Sequence, residues 1–333
     1  MPRVSVCIPA YNTARYLAEA IESVLQQEFC DYELVICDNA STDETPEICG
    51  RYENERVRYV RFDEFVGQAS NWNRCLELGT GGYVVLLHAD DVLQPSFLKR
   101  AVAALENNSA VGLVHCSVEH IDQSGTPLYL QKLYDEDRIE PGEALFERLL
   151  LEGCVVNPAG VMVRRNVYDE VGPFTEEIVW GVDWHMWMRV ALHSQVAYLA
   201  DTLAQYRHHP QSGTSGVMAT ARNGKDEMWM LEDIFRQIPT SRADIHALHK
   251  RAKHQSAHRT WCFAEELCRL GLMPAARANL KRAISIRPAL LVDVRFWTLW
   301  AATIFGYAWF DRMRTWKHRV MPRAVPTLNG KQL

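Results

Sequence analysis

Two adjacent carboxylates, Asp90 and Asp91, stand in the tetrad His88-Ala89-Asp90-Asp91, directly after the apolar run Tyr83-Val84-Val85-Leu86-Leu87. Paired carboxylates in a loop suit a hard divalent cation such as Mn2+ or Mg2+, which prefers oxygen ligands and completes its shell with water and substrate phosphates. The chemistry implied is a metal and, through it, a diphosphate. The competing assignment is that one aspartate caps the helix beginning at Pro95-Ser96-Phe97-Leu98 while the other is solvated. A further carboxylate, Asp183, lies in Val182-Asp183-Trp184-His185-Met186-Trp187 at the start of an aromatic-rich helix, where it serves as an N-cap or as a base. Trp184 and Trp187 share a helix face and either join the core or line a pocket.

The elements that must position these groups follow from hydrophobic periodicity. A continuous apolar run reads as a central strand of a parallel sheet, and such sheets bind ligands beyond the carboxyl ends of their strands. Val4 to Ile8 reads as a strand stopped by Pro9-Ala10-Tyr11-Asn12, and the helix after it spaces Tyr16, Leu17, Ala20, Ile21, Val24 and Leu25 for one buried face. A second strand, Glu33 to Cys37, runs into Asp38-Asn39-Ala40-Ser41-Thr42-Asp43. A third, Val57 to Arg61, precedes a helix carrying Asn71, Trp72 and Asn73, whose asparagines either reach a nucleotide or cap the helix or face water. Gly81-Gly82 then turns the chain into the strand that delivers Asp90. This β-α-β-α-β-α-β order predicts an α/β fold with a Rossmann-like, mostly parallel sheet, and brings the polar strand ends to one edge. No Gly-x-Gly-x-x-Gly follows the first strand and no Gly-Lys-Ser/Thr loop is present, so a diphosphate must be neutralised by metal. Arg164 and Arg165, after a strand over 159–163, are candidates to meet that diphosphate, and Gly172 and Gly181 bracket a loop expected to be mobile.

With these motifs the chain resembles glycosyltransferase family 2, of the inverting, nucleotide-sugar-dependent GT-A type. The resemblance rests on Pro9-Ala10-Tyr11-Asn12, on Asp38 to Asp43, on Asp90-Asp91 and on Val182 to Trp187, and covers about the first two thirds of the chain. It implies that Pro9, Ala10, Tyr11 and Asn12 shape a nucleoside pocket and that Asp38 accepts a hydrogen bond from the base. It implies that Asp90, with Asp91, binds the divalent cation and ribose, that Asp183 is the catalytic base, and that His209 in Tyr206-Arg207-His208-His209-Pro210 is a further metal ligand. The chain departs from the family pattern at His88, where an aspartate is usual, and at Val182, where a glutamate usually precedes the base. Glycosyl transfer asks for the same residue types: a held cation stabilises the charge growing on the diphosphate, and a carboxylate takes the proton of the attacking hydroxyl. Displacement of this kind inverts the anomeric centre. The expected partners are a nucleoside diphosphate sugar and a glycan or lipid-linked acceptor, in assembly of a surface polysaccharide or other glycan. The alternatives are a non-catalytic scaffold that keeps the fold and, with less support, a nucleotidyltransferase, for which the loop from Pro9 to Arg15 offers only Arg15 to grip a triphosphate.

At 333 residues and 48% hydrophobic, the chain suffices for one large core and a smaller unit, and its net charge of -5 argues against bulk nucleic-acid binding. Nine scattered cysteines read as reduced packing residues of a cytoplasmic protein. Met1-Pro2-Arg3-Val4 enters the first strand directly, so no signal peptide is expected. Residues 1–219 are assigned to the glycosyltransferase domain and 220–333 to a helical extension. Within the extension Ala257 to Pro288 has the pattern of one tetratricopeptide-like hairpin, which cannot bury its own face alone. The apolar run Phe296 to Phe310 is followed by Arg312, Arg314, Lys317, His318 and Arg319, a composition that suits either peripheral contact with the inner face of the cytoplasmic membrane or a buried terminal helix. An apolar tail suits a homo-oligomer equally.

Overall fold

The computed structural model describes residues 1–218, 220–238 and 244–307. The chain divides into two compact units, residues 1–216 with 226–252, and 217–225 with the described residues from 253 onward.

The first unit is built on one ten-stranded sheet. β1 (Val4–Ala10), β2 (Tyr32–Asp38), β3 (Val57–Arg61) and β4 (Tyr83–Leu86) lie in the order β3-β2-β1-β4, all parallel. The sheet continues through β9 (Val161–Arg164), β6 (Val111–Ile121), β10 (Gln195–Arg207) and β5 (Val92–Leu93), with β7 (Pro127–Gln131) on β6 and β8 (Arg138–Glu140) on β10. β6 and β10 run with the first four strands, whereas the short β5, β7, β8 and β9 run against them. This is the α/β, mostly parallel architecture that the β-α-β order requires.

Side-chain alternation divides the core between the two faces of the sheet. Val4, Val6, Ile8 and Ala10 pack with α1 (Ala14–Leu25) and α4 (Phe97–Asn107), while Cys7 packs with Trp72 and Cys75 of α3 (Gln68–Leu78) and with Met186 and Trp187 of α7 (Val182–His193). Both faces are covered, which is why the strands read as unbroken apolar runs. The predicted face of α1 is buried except at Leu25, which is exposed at the helix end. α2 (Thr45–Tyr52), α5 (Gly142–Glu152) and α6 (Arg165–Val171) complete the connections, and α8 (Gly213–Met218) and α9 (Asn223–Gln237) follow the last strand. Gly81 is required where the turn before β4 touches β1: its N–H donates to Ser5 Oγ at 2.7 Å, and a Cβ there would lie 2.6 Å from Ser5 N.

β9 corrects one expectation. It is antiparallel to β4, pairing Arg164 with Tyr83 at the start of that strand, so Arg164 and Arg165 sit at the edge opposite Asp90. Their guanidinium groups donate to the carbonyls of Val111 and Asn108 and of Gly81 and Leu76, and neither is aimed at a diphosphate near Asp90.

In the second unit the later turns of α10 (Ile245–Arg269) and α11 (Met273–Ile286) form a helical hairpin, joined at Gly271 with φ of 76°. Ala264, Leu267, Ala276, Leu280 and Ala283 face one another and are closed over by Phe296, Leu299 and Ala302 of α12 (Val294–Phe305). The following helix therefore buries the face that one hairpin leaves open. Trp309, Phe310 and the basic positions from Arg312 to Arg319 lie outside the described residues.

Candidate active site

β1 and β2 end side by side, Ala10 opposite Asp38, and their loops are stitched together. Asn39 N–H donates to Ala10 O at 2.9 Å, Asn12 N–H to Ser41 Oγ at 3.0 Å, and Thr42 N–H to Asn12 Oδ1 at 2.8 Å. Asn12 holds φ of 51°, a left-handed conformation that asparagine tolerates better than most residues. Asp38 is the last residue of β2 and is wholly buried; its carboxylate accepts from Ser41 N–H at 2.9 Å and from Tyr59 O–H at 2.7 Å. Pro9 and Ala10 form the floor of this edge, and Tyr11 stands exposed with its ring 4.5 Å from that of Phe65, itself exposed. Phe65 carries no local signal beyond being an aromatic in a loop, and the sequence does not single it out.

The next parallel strand delivers the acidic cluster. Ligand atoms of His88, Asp90 and Asp91 lie within 4.8 Å of one another. Asp91 is wholly buried; its Oδ1 accepts from Arg207 N–H at 3.0 Å, while its Oδ2 has no hydrogen-bond partner among the described residues and lies 3.8 Å from His88 Nδ1. Asp90 Oδ2 is 2.8 Å from His209 Nε2. The buried Arg207 guanidinium donates to Asp90 O at 3.0 Å and to Glu19 Oε2 at 2.7 Å. Neither aspartate caps α4, whose N-cap is Ser96 with no side-chain cap bond. Burial and the neighbouring charge of Asp90 push the Asp91 carboxyl well above the ordinary carboxylate range. Burial also pushes Asp90 upward, but the His209 hydrogen bond and the charges of His88 and His209 outweigh it and bring Asp90 below its usual value. Two close carboxylates, one with an unsatisfied buried oxygen, fit a divalent cation by donor type and by the charge they need neutralised.

Asp183 sits in the first turn of α7, one residue beyond its first, because Gly181, with φ of 71°, is the N-cap. The cap assignment for Asp183 is thereby removed. Its carboxyl is half-buried and raised by that burial, partly offset by the backbone N–H groups of Trp184 and Asp183 and by the charge of His88. The thiol of Cys154, accessible but crowded, is pushed up by its surroundings and by Asp183. Val182, Trp184 and Trp187 are core residues, and Trp184 Nε1 donates to Leu149 O at 3.1 Å.

His88 is braced by an aromatic chain. Its ring stacks on Trp72 at 5.0 Å, and Phe174 meets Trp72 edge-on at 5.2 Å. Asn73 holds Phe174 by two reciprocal bonds, Nδ2 to the carbonyl at 2.9 Å and the N–H to Oδ1 at 2.8 Å. The carboxamide of Asn73 is thus committed to backbone. Phe174 is buried and Arg189 donates to Pro173 O at 2.7 Å, so the segment expected to be mobile is anchored at its start.

Residues 5–172 match the family described as Glycosyl transferase family 2. The putative teichuronic acid biosynthesis glycosyltransferase TuaG of Bacillus subtilis is 28% identical over 268 residues, 79% of this chain and 94% of that protein. Staphylococcus aureus TarS, residues 1–349 in complex with UDP-GlcNAc, is similar in fold with a TM-score of 0.57 at 18% identity, over 90% of this chain and 91% of that one. This chain spans 55% of the longer TarS chain. The mannosyltransferase PcManGT of Pyrobaculum calidifontis, in complex with GDP-Man and Mn2+, gives a TM-score of 0.56 at 18% identity over 95% and 88% of the two chains. The matched segment begins in β1, contains the stitched loops and the Asp90-Asp91 cluster, and ends just after α6; the chain belongs to glycosyl transferase family 2.

Proposed function

We propose that the chain is an inverting, metal-dependent glycosyltransferase that moves a sugar from a nucleoside diphosphate sugar to a hydroxyl of a glycan or lipid-linked acceptor. The observation that carries this reading is the meeting of His88, Asp90 and Asp91 at one sheet edge, with His209 bonded to Asp90, beside a buried Asp91 oxygen that has no hydrogen-bond partner among the described residues. Asp90, Asp91 and His209 are the residues to hold the cation, which when bound stabilises the negative charge developing on the leaving diphosphate. Pro9 to Asn12 and the Asp38 loop form the nucleoside pocket, with Tyr11 and Phe65 offering ring faces to the base. Asp183 takes the proton of the attacking hydroxyl as the new carbon–oxygen bond forms on the face opposite the diphosphate, and its raised proton affinity makes it a stronger base than an ordinary aspartate. Attack from that face inverts the anomeric centre. Arg207 keeps Asp90 and Asp91 in register, and Trp72 does the same for His88.

Complexes of similar fold with UDP-GlcNAc and with GDP-Man and Mn2+ support the donor class, and the name of TuaG supports a role in polysaccharide assembly. Among the described residues no helix is long and apolar enough to cross a membrane. α12 presents Val294, Trp297, Ile304 and Phe305 outward while Phe296, Leu299 and Ala302 are buried, which supports peripheral contact with the membrane that carries a lipid-linked acceptor. The deciding experiment is calorimetry of UDP, dTDP, GDP and CDP, with and without Mn2+, on the wild type and on Asp90→Asn. Tight binding of one nucleotide that needs both Mn2+ and Asp90 is the expected result. Absence of metal-dependent binding for all of them overturns the reading.

A further inference from the structure

A second cluster, outside the metal and base positions, occupies the same sheet edge. β6 and β10 are parallel and end together, so His120 of β6 meets His208, just after β10, with Nδ1 of the first 2.7 Å from Nε2 of the second. The other ring nitrogen of His120 lies 2.8 Å from Gln131 Oε1, and Asn157 Nδ2 donates to that oxygen at 3.2 Å. Tyr129, directly across the β6–β7 pair, lays its ring on His120 at 4.1 Å and 15°.

Packing of a hairpin accounts for His120, which is buried. It does not account for what lies above it. Tyr129 keeps 55% of its surface exposed, and Leu128 and Leu130 on the same edge strand are about equally open. His208 is exposed as well. Exposed aromatic and apolar groups on an edge strand are a liability unless something covers them.

Both ends of this cluster are tied to the site. His208 precedes His209, which bonds Asp90. Gln131 Nε2 donates to Val155 O at 3.1 Å, next to Cys154, whose thiol feels the charge of Asp183. The cluster therefore borders the His209–Asp90 contact at one end and the Val155 carbonyl at the other.

We propose that Tyr129 and His208, backed by His120, form the floor of an acceptor subsite that takes one pyranose ring of a glycan against its apolar C–H face. The inference rests on the transferase reading above. A pyranose has one face of C–H groups and a rim of hydroxyls, and the electron-rich face of an aromatic ring is complementary to the first. The His120–Gln131–Asn157 hydrogen bonds hold the platform in one orientation, so little ordering entropy is lost when a sugar lands on it.

The test is saturation-transfer NMR of the full chain with cellotetraose, chitotetraose and maltotetraose, with calorimetry of nucleotide and Mn2+ on the same samples. The expected result is saturation of ring C–H protons of at least one oligosaccharide by the wild type, retention with Tyr129→Phe, and a loss of about tenfold or more in affinity with Tyr129→Ala. An oligosaccharide bound equally by wild type and Tyr129→Ala, or none bound by the wild type, overturns the subsite. Retained metal-dependent nucleotide binding in those cases leaves the transferase reading standing, whereas its absence in the wild type removes both.

Discussion

His209 Nε2 lies 2.8 Å from Asp90 Oδ2, although 119 residues separate them in the chain. The contact exists because β5 pairs with β10 at Ala204 opposite Leu93 and Gln205 opposite Val92, laying the end of β10 along the loop that bears the aspartates. The imidazole also packs on Tyr16 at 4.9 Å, so its approach to Asp90 is fixed from two sides. Asp90 is in this way prepared as a carboxylate, while burial and Asp90 itself hold Asp91 toward its protonated form. A cation relieves the second condition.

Replacement of His209 by alanine should therefore weaken Mn2+ binding roughly 10–100-fold, the usual cost of losing a group that ligates or orients a ligand. Calorimetry with Mn2+ alone reads this directly. Wild-type affinity in His209→Ala would remove His209 from the metal site.

Asp183→Asn should lower turnover by roughly 10²–10⁴ while nucleotide and Mn2+ still bind, because only the proton acceptor is lost. The pH dependence follows from the same raised carboxyl. Turnover rises with pH as Asp183 ionises, and the rise should be centred above the ordinary value of about 3.9. Stability runs the other way. The folded state binds this proton more tightly than the unfolded chain, so the contribution of Asp183 is full below about 3.9 and is lost as pH climbs through the raised folded value. At neutral pH Asp183→Asn should then unfold at the same or a higher temperature than wild type; a lower one would contradict the raised pKa.

Arg207→Met should destabilise the first unit by about 1–3 kcal/mol, through the lost bonds to Asp90 O and Glu19. The cost stays below the roughly 3–5 kcal/mol of breaking a fully buried pair, because Glu19 is half-exposed and is rehydrated. Urea unfolding measures it, and Mn2+ affinity should fall in parallel since Asp90 is no longer held. Unchanged stability would mean that the backbone bond from Arg207 N–H to Asp91 suffices.

How far the site was legible in the sequence depended on whether its geometry is local. β1 to β4 and the face of α1 follow from period-two and period-3.6 patterns carried by neighbouring residues. The convergence of Asn12, Asp38 and Asp90 needed only that those strands be parallel. Arg164 and Arg165 were misplaced because nothing local reports that β9 is antiparallel, and reversing a strand moves its end to the opposite edge. Asn73 reads as a ligand-facing residue until Phe174, 101 residues away, occupies both ends of its carboxamide. Arg207 escaped notice in the same way, since Asp91 reaches it only through the pairing of β10 with β5. Asp183 as a cap was a fair local reading that Gly181 displaced by taking the N-cap position two residues before the aspartate.

Peripheral membrane contact makes its own prediction. The protein should sediment with vesicles of phosphatidylglycerol and phosphatidylcholine, and Trp297→Ser with Phe305→Ser should weaken this about tenfold or more, since burying one large apolar side chain contributes roughly 1.5–3 kcal/mol. These side chains are 50% and 67% exposed, so the double substitution does not open the core of the second unit. Equal sedimentation of the variant would show that α12 is not the contact.

Asn73 offers the sharpest separation between a binding role and a positional one. Its Nδ2 and Oδ1 each bond the backbone of Phe174, whose ring meets Trp72, which in turn carries His88. Asn73→Ala leaves two part-buried backbone groups unpaired and should cost about 1–3 kcal/mol in urea unfolding. Asn73→Asp keeps the acceptor for Phe174 N–H but turns a second oxygen toward the Phe174 carbonyl, so it should be at least as destabilising. Nucleotide affinity in Asn73→Ala, measured below its unfolding transition, should stay within about twofold of wild type, a difference of roughly 0.4 kcal/mol. A tenfold loss of affinity at unchanged stability would reverse the assignment and return Asn73 to the nucleotide pocket.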